Sequence, residues 1–491
     1  MGNETEAVTD DEAEALTDDE AFALLYRSFC FLVCLYVVGD VLCQRGLHVV
    51  PALVGQIVVG LIFGPYGADW LVTDAAHLIL STAGQLGLVL MLCQAGSQMD
   101  LELLKQTGIR SATMAVTGSF LPTAIGFALA YGIVLEEPEW KAALAVGCSF
   151  GPTSAGIALA VLEQCNVLQT PIGQLVVAVA IVDDIIALVV LSQLRALTQS
   201  DVSVSQIVIP IVSALLWLGI GSFVAIQCMP TLWKRLEDRK EKSTAKESRA
   251  TLHEDGGGDS APPVEEGNHT IHTGGSPDTE PDNISVNQDK KSVDDPSVQS
   301  TTDMNVVYAT VLLLVFIPAT YYSEASFFLG AFLAGLGLAT RAQAAEALTT
   351  NWKSLTDWLM RLFFGATIAF AIPVSLWWEQ PKTLAYGCLL ALALFGKLAV
   401  GPLLTPVLEA DGRRWDAVHI RDCLITGCSM AGEAEFAFVL AAFGLNQGLI
   451  PESVYASLTF AILISTVVSP VLLRLVLAYS TNSVMMTERS D

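Results

Sequence analysis

Two carboxylates stand side by side in the middle of an apolar run, Val179-Ala180-Ile181-Val182-Asp183-Asp184-Ile185-Ile186-Ala187-Leu188. An Asp at the centre of a hydrocarbon layer costs about 2.5–3.5 kcal/mol on insertion scales. A polar contact between helices is a poor reason to bear that cost twice. Ionisable groups in such a setting mark ion or proton pathways. Neighbouring residues on a helix point about 100° apart, so Asp183 and Asp184 need not face the same partner. They titrate as one unit, and a proton and a small cation compete for the same oxygens. A buried ammonium needs a counter-charge, and Lys397, in Leu394-Phe395-Gly396-Lys397-Leu398-Ala399-Val400, is the candidate partner of one aspartate. The alternative is a lysine snorkelling to the membrane surface.

Two interrupted helices must position these charges. The first reads Gly147-Cys148-Ser149-Phe150-Gly151-Pro152-Thr153-Ser154-Ala155-Gly156, the second Gly427-Cys428-Ser429-Met430-Ala431-Gly432-Glu433-Ala434-Glu435. Pro152 has no amide proton and clashes with the preceding turn. A helix broken at membrane depth frees carbonyls and helix ends, which persist only against protein or a wet cavity. Two crossing breaks make an ion site from partial charges at helix termini. Two kinked packing helices are the alternative. Thr153 and Ser154 offer hydroxyl oxygens to a weakly held monovalent cation or to the broken backbone. Of Glu433 and Glu435, one faces the cavity while the other caps a half-helix. Asp40 is expected beside Arg45 at the interface. Gln94 lines the water path or bridges helices. His77 and His419 fall in loops.

The composition agrees with a membrane setting. The chain has 491 residues, 53% hydrophobic and 15% charged, with a formal net charge of −25. Soluble domains carry ~25% charged residues. The acid is concentrated: residues 1–20 hold nine Asp/Glu and no Lys or Arg, and residues 234–303 hold sixteen against nine basic residues. A basic nucleic-acid binder and a disulfide scaffold are excluded. The ten Cys show no CxxC pair and read as small buried apolar residues. No cofactor motif and no nucleophile–base set appears, so an enzyme is not expected.

About 20 helical residues cross a bilayer core. Thirteen runs meet this, near 21–42, 49–66, 78–97, 111–134, 141–163, 170–197, 206–230, 304–322, 325–341, 356–377, 382–408, 418–446 and 453–479. The fold class is therefore an all-α polytopic membrane protein with 13 transmembrane helices. It is organised as an acidic disordered N-terminus (1–20), a first six-helix repeat (21–197), a connecting helix (206–230), a disordered linker (231–303), a second six-helix repeat (304–479) and a short tail (480–491). Six helices on each side of a connecting helix are inverted relative to each other, with crossed discontinuous helices, as in many secondary transporters. The shared Gly-Cys-Ser in both interrupted helices supports the repeat. Lys and Arg between runs place the N-terminus outside or in a lumen and the linker and C-terminus in the cytoplasm.

Gly55-Gln56-Ile57-Val58-Val59-Gly60-Leu61-Ile62-Phe63-Gly64-Pro65, the run Leu86–Asp100 and Leu329-Gly330-Ala331-Phe332-Leu333-Ala334-Gly335-Leu336, in that order, resemble the cation:proton antiporter superfamily, in its second family. The Asp183-Asp184 pair is similar to that of sodium/proton antiporters. Glu435-Phe436-Ala437-Phe438-Val439-Leu440 resembles the potassium-efflux antiporters instead. The resemblance implies that Asp184 binds the transported cation or proton and that Asp183 pairs with Lys397 when no cation is bound. It implies that Thr153 and Ser154 complete coordination. It also implies a homodimer in which helices 4–6 and 11–13 move against a scaffold of helices 1–3 and 8–10. The expected activity is electrogenic exchange of Na+ or Li+ for H+ by alternating access. Potassium/proton exchange is one alternative; a channel or transport-inactive sensor on the same fold is another.

Overall fold

The structure, a computed structural model, describes residues 18–47, 50–70, 74–197, 204–224, 296–339, 342–404, 417–433 and 435–488, with isolated positions 227, 231 and 235. Nearly all of the expected 231–303 linker, and Cys228, lie outside them. Every regular element among the described residues is helical.

Among the described residues, six helices are long and apolar enough to cross a membrane: Phe22–Arg45, Ala76–Ser97, Gln106–Val134, Pro171–Leu194, Pro381–Leu403 and Glu452–Ala478. A bent pair, His419–Met430 with Glu435–Asn446, makes a seventh if taken as one span. The other expected spans correspond to shorter or broken helices.

The elements are α1 Asp18–Cys34, continued in wider turns over Leu35–Leu47, α2 Ala52–Phe63, α3 Asp74–Ser97 and α4 Leu101–Leu129. Next come α5 Trp140–Cys148, α6 Ala155–Gln164, α7 Pro171–Leu197 and α8 Val204–Phe223. The second half contains α9 Pro296–Tyr322, α10 Phe327–Ala339, α11 Ala342–Leu362 with wide turns over Phe363–Ile368, α12 Leu376–Glu379, α13 Pro381–Leu390 and α14 Leu394–Leu398. It ends with α15 Ala417–Met430, α16 Glu435–Asn446 and α17 Glu452–Glu488.

Three ends differ from expectation. α1 starts at Asp18, inside the acidic segment, because acidic side chains suit a positive helix N-terminus. α9 starts at Pro296, inside the expected linker, since proline is tolerated in a first helical turn. α17 continues to Glu488, through the expected tail, because neither Gly nor Pro follows Pro470 to stop it.

Helices α1, α2, α3, α10 and α11 pack into one group; α4, α5, α6, α7, α13, α14, α15, α16 and α17 pack into another. The first group is held by close backbone approach. A Cβ at Gly335 would meet the Cys93 carbonyl, and one at Gly96 would meet the Phe332 carbonyl. Small residues at such crossings let membrane helices touch without side chains between them. In the second group, Gly396 performs the same service. A Cβ there would sit 2.9 Å from the Pro122 nitrogen of α4, so α14 can lie against α4 and carry Lys397 to the first break.

Nine cysteines are free. Cys93, Cys148, Cys423 and Cys428 are buried as expected, but Cys165 and Cys388 are exposed. Cys165 lies where α6 ends, between the expected runs 141–163 and 170–197.

Candidate ion site

The two interrupted helices break where expected and meet at their breaks. α5 packs on α16 and α6 packs on α15, so each half of one helix lies beside the opposite half of the other. Between α15 and α16 the chain bends by 41°. The Ser154 amide donates to the Gly432 carbonyl at 2.7 Å, tying one break to the other.

Several backbone groups at the breaks find partners. The Thr153 amide donates to Asp183 Oδ2 at 2.6 Å. Pro152, which cannot donate, leaves its carbonyl to accept from Lys397 Nζ at 2.5 Å. Thr466 Oγ1 donates to the Glu433 carbonyl at 2.5 Å, and Ser469 Oγ to the Cys428 carbonyl at 3.2 Å. The breaks are thus built into the protein rather than left open to lipid.

The neighbouring aspartates have different surroundings. Asp183 is fully buried and saturated: besides the Thr153 amide it accepts from the Ser119 hydroxyl of α4. Asp184 is partly exposed, and among the described residues its carboxylate has no hydrogen bond and no ion pair. The turn between consecutive residues aims one carboxylate into the break and the other away from it.

Lys397 is also fully buried. Its carboxylate partner within 4.0 Å is Glu433, at 3.7 Å, and it reaches the Thr153 hydroxyl at 3.4 Å. Asp183 and Lys397 are therefore joined through Thr153, which donates its amide to one and receives the other at its hydroxyl. Glu433 takes a further bond from Ser465 Oγ at 3.3 Å. Ser154 is buried, and its hydroxyl oxygen has no partner. A monovalent cation suits such an orphaned oxygen beside carboxylates.

A cavity of about 500 Å³ lies between the two helix groups, on the side of the α1–α2 turn. Gln56, Gln94 and Arg361 line it from one group, and Gly156, Glu435 and Arg474 from the other. Gln94 Nε2 donates to Thr356 Oγ1 at 2.9 Å, so this residue both lines the cavity and bridges helices. On the opposite side, a cavity of about 1030 Å³ is lined by Glu136, Glu137, Glu139 and Glu452, with Lys382.

Three sequence expectations are corrected. Asp40 is held by Arg361 of α11, not by Arg45, through bonds of 2.8 and 3.0 Å. Arg361 also stacks over Trp358, 4.5 Å from its ring centre. The wide turns of Leu35–Leu47 rotate Asp40 inward, which a straight-helix reading does not foresee. His77 lies in α3 against Phe370, ring centres 5.0 Å apart, and His419 lies in α15. Helix α3 begins four residues before the expected run at 78, and His419 falls inside the expected run 418–446. Sequence reasoning also missed Ser119, one of several hydroxyl residues of α4, whose importance appears only when α4 packs on α7.

Such a fold and site define a polytopic membrane protein with buried charges at two crossed helix breaks. The family model "Sodium/hydrogen exchanger, transmembrane" matches residues 31–252 and 295–479, and the chain belongs to that family of cation:proton antiporters. It is 20% identical over 456 residues to a Na(+)/H(+) antiporter of Enterococcus hirae, covering 91% of this chain and 97% of that protein. It is 26% identical over 175 residues to the high-affinity Na(+)/H(+) antiporter NhaS3 of Synechocystis, covering 35% and 37%. In fold it is similar to the sodium proton antiporter MjNhaP1 of Methanocaldococcus jannaschii, with a TM-score of 0.58 and 16% identity over 92% of this chain and 98% of that one.

Proposed function

We propose that the protein exchanges Na+ or Li+ for H+ across its membrane, with Asp184 as the carboxylate that binds the cation and the proton in turn. The observation that carries this reading is the contrast between the two aspartates. Asp183 has its oxygens committed to Ser119 and Thr153. Asp184, next to it, is free among the described residues and partly exposed. A site that loads and unloads an ion needs a group without a competing partner. A neighbour that holds its geometry through the cycle completes it.

In this reading Asp183, Thr153, Lys397 and Glu433 form the fixed part of the site. Lys397 offsets one of the two buried negative charges of Asp183 and Glu433 and stays in place while Asp184 changes state. The Ser154 hydroxyl and Pro152 carbonyl lie at the break and offer hard oxygen ligands to a cation. Proton and cation exclude each other at Asp184 by charge, and that exclusion couples their movements. The cavity beside α6 and α16 supplies access from one side, and movement of one helix group against the other would supply it from the opposite side. Thirteen spans in two inverted repeats, a cytoplasmic linker and C-terminus, a homodimer, electrogenic exchange and placement in the second antiporter family belong to the same proposal. The names of the Enterococcus and Synechocystis relatives favour sodium over potassium.

The test is proton flux in proteoliposomes with a preset pH gradient. Sodium or lithium should dissipate the gradient and potassium should not. Dissipation mainly by potassium would move the protein to potassium/proton exchange. Current that persists without a pH gradient would indicate a channel.

A further inference from the structure

Three carboxylates line the cavity between the helix groups: Asp40, Asp357 and Glu435. Asp40 is occupied by both of its bonds to Arg361. Asp357 is exposed and lies in the field of Arg361 and Lys353. Glu435 differs from both. It is the first residue of α16, and among the described residues its side chain makes no hydrogen bond to another residue. Among the described residues no cation lies within 4.0 Å of it. Of the cations that share the wall, Arg361 is engaged with Asp40 and Arg474 with Gln164 Oε1 at 2.9 Å, while Lys353 is exposed and lies in the field of Asp357.

Glu435 also approaches the ion site. Its helix, α16, packs against α7, which carries Asp184, and like charges on the two carboxylates repel. One unpaired acid thus borders the cavity and acts on the transport carboxylate as well. Between two like charges in a low-dielectric setting, a monovalent cation removes the repulsion and gains attraction from both. On the cavity wall beside Glu435, Gly156 and Ile157 come two and three residues after Ser154, whose buried hydroxyl oxygen has no partner among the described residues. It is a ready ligand at the same break.

We propose that Glu435 is a relay carboxylate, which takes the cation from the cavity and passes it to Asp184, and so sets the apparent cation affinity on that face of the membrane. This rests on Asp184 being the transport carboxylate.

The experiment measures proton flux against sodium concentration in membrane vesicles of both orientations, so that cation is presented to each face in turn. Wild type, Glu435→Gln, Glu435→Asp and Asp184→Asn are compared, with Glu435→Ser carrying the test if the Gln variant does not fold. Removing the charge should raise the KM for sodium about tenfold on one face and leave it unchanged on the other. Maximal flux should stay within about a factor of two, and Glu435→Asp should recover most of the affinity. An unchanged KM on both faces, or a loss of maximal flux at constant KM, would overturn the relay. Wild-type flux from Asp184→Asn would instead refute the reading on which the relay rests, whatever Glu435 does.

Discussion

Lys397 and Glu433 hold each other at 3.7 Å, both without solvent exposure, one from α14 and the other from the second helix break. Removing one partner of a buried pair strands the other charge, which costs about 3–5 kcal/mol, whereas an apolar replacement of both is often close to neutral. Lys397→Met and Glu433→Gln should each lower the melting temperature of the purified protein. The double variant should recover part of the loss. Additive single losses would mean that the two side chains do not interact.

The two aspartates should separate stability from transport. Asp183→Asn replaces one acceptor by a donor that opposes either the Ser119 hydroxyl or the Thr153 amide, at a cost of about 1–3 kcal/mol. Asp184→Asn removes no bond among the described residues and should melt within about 0.5 kcal/mol of wild type. It should nonetheless abolish exchange. Thermal melts beside flux assays read both effects, and a strongly destabilised Asp184→Asn would contradict this division.

The break region was legible in the sequence because it violates local rules. Pro152 among glycines cannot continue a helix, and Asp183, Asp184 and Lys397 have no place in a lipid-facing run. Their partners were not legible. Lys397 meets Glu433 because Gly396 lets α14 lie against α4, and Asp40 meets Arg361, 321 residues away, through a stretch of wide helical turns. Neither contact leaves a periodic trace. Helix ends moved for a related reason: hydropathy marks what lies in the layer, and helices extend beyond it until a stop signal.

Asp40 and Arg361 form a two-pronged pair on the cavity wall. Only a planar guanidinium reproduces that geometry, so Arg361→Lys is not conservative here. Arg361→Ala should destabilise by about 2–3 kcal/mol, the value of charged hydrogen bonds plus lost stacking on Trp358. Arg361→Lys should recover less than half of it. Full recovery of the melting temperature by lysine would show that charge alone matters.

Gly335 tests the packing of the first helix group without touching charge. Alanine there places a methyl group against the Cys93 carbonyl and must push α10 away from α3. Overpacking of this kind costs about 1–3 kcal/mol. Gly335→Ala should melt earlier than wild type, whereas Gly132→Ala, which has open space, should not. Equal melting of the two would count against the close crossing.

Exchange should fall on both sides of an optimum pH. As pH drops, protons occupy Asp184 and exclude the cation, so the KM for sodium rises by up to about tenfold per pH unit below half-protonation. As pH rises, no proton is available for the return step, and maximal flux declines. A flat profile of KM and maximal flux across the acid and alkaline limits would contradict competition at one carboxylate.

Competition at Asp184 is measured most directly as proton release on cation binding. Purified protein in weakly buffered detergent solution near the optimum pH is given sodium chloride, and the pH change is followed against choline chloride at equal ionic strength. The account predicts acidification that saturates with sodium in the wild type and is absent in Asp184→Asn. Saturable release that survives in Asp184→Asn, or cation binding with no release from folded wild-type protein, would contradict it.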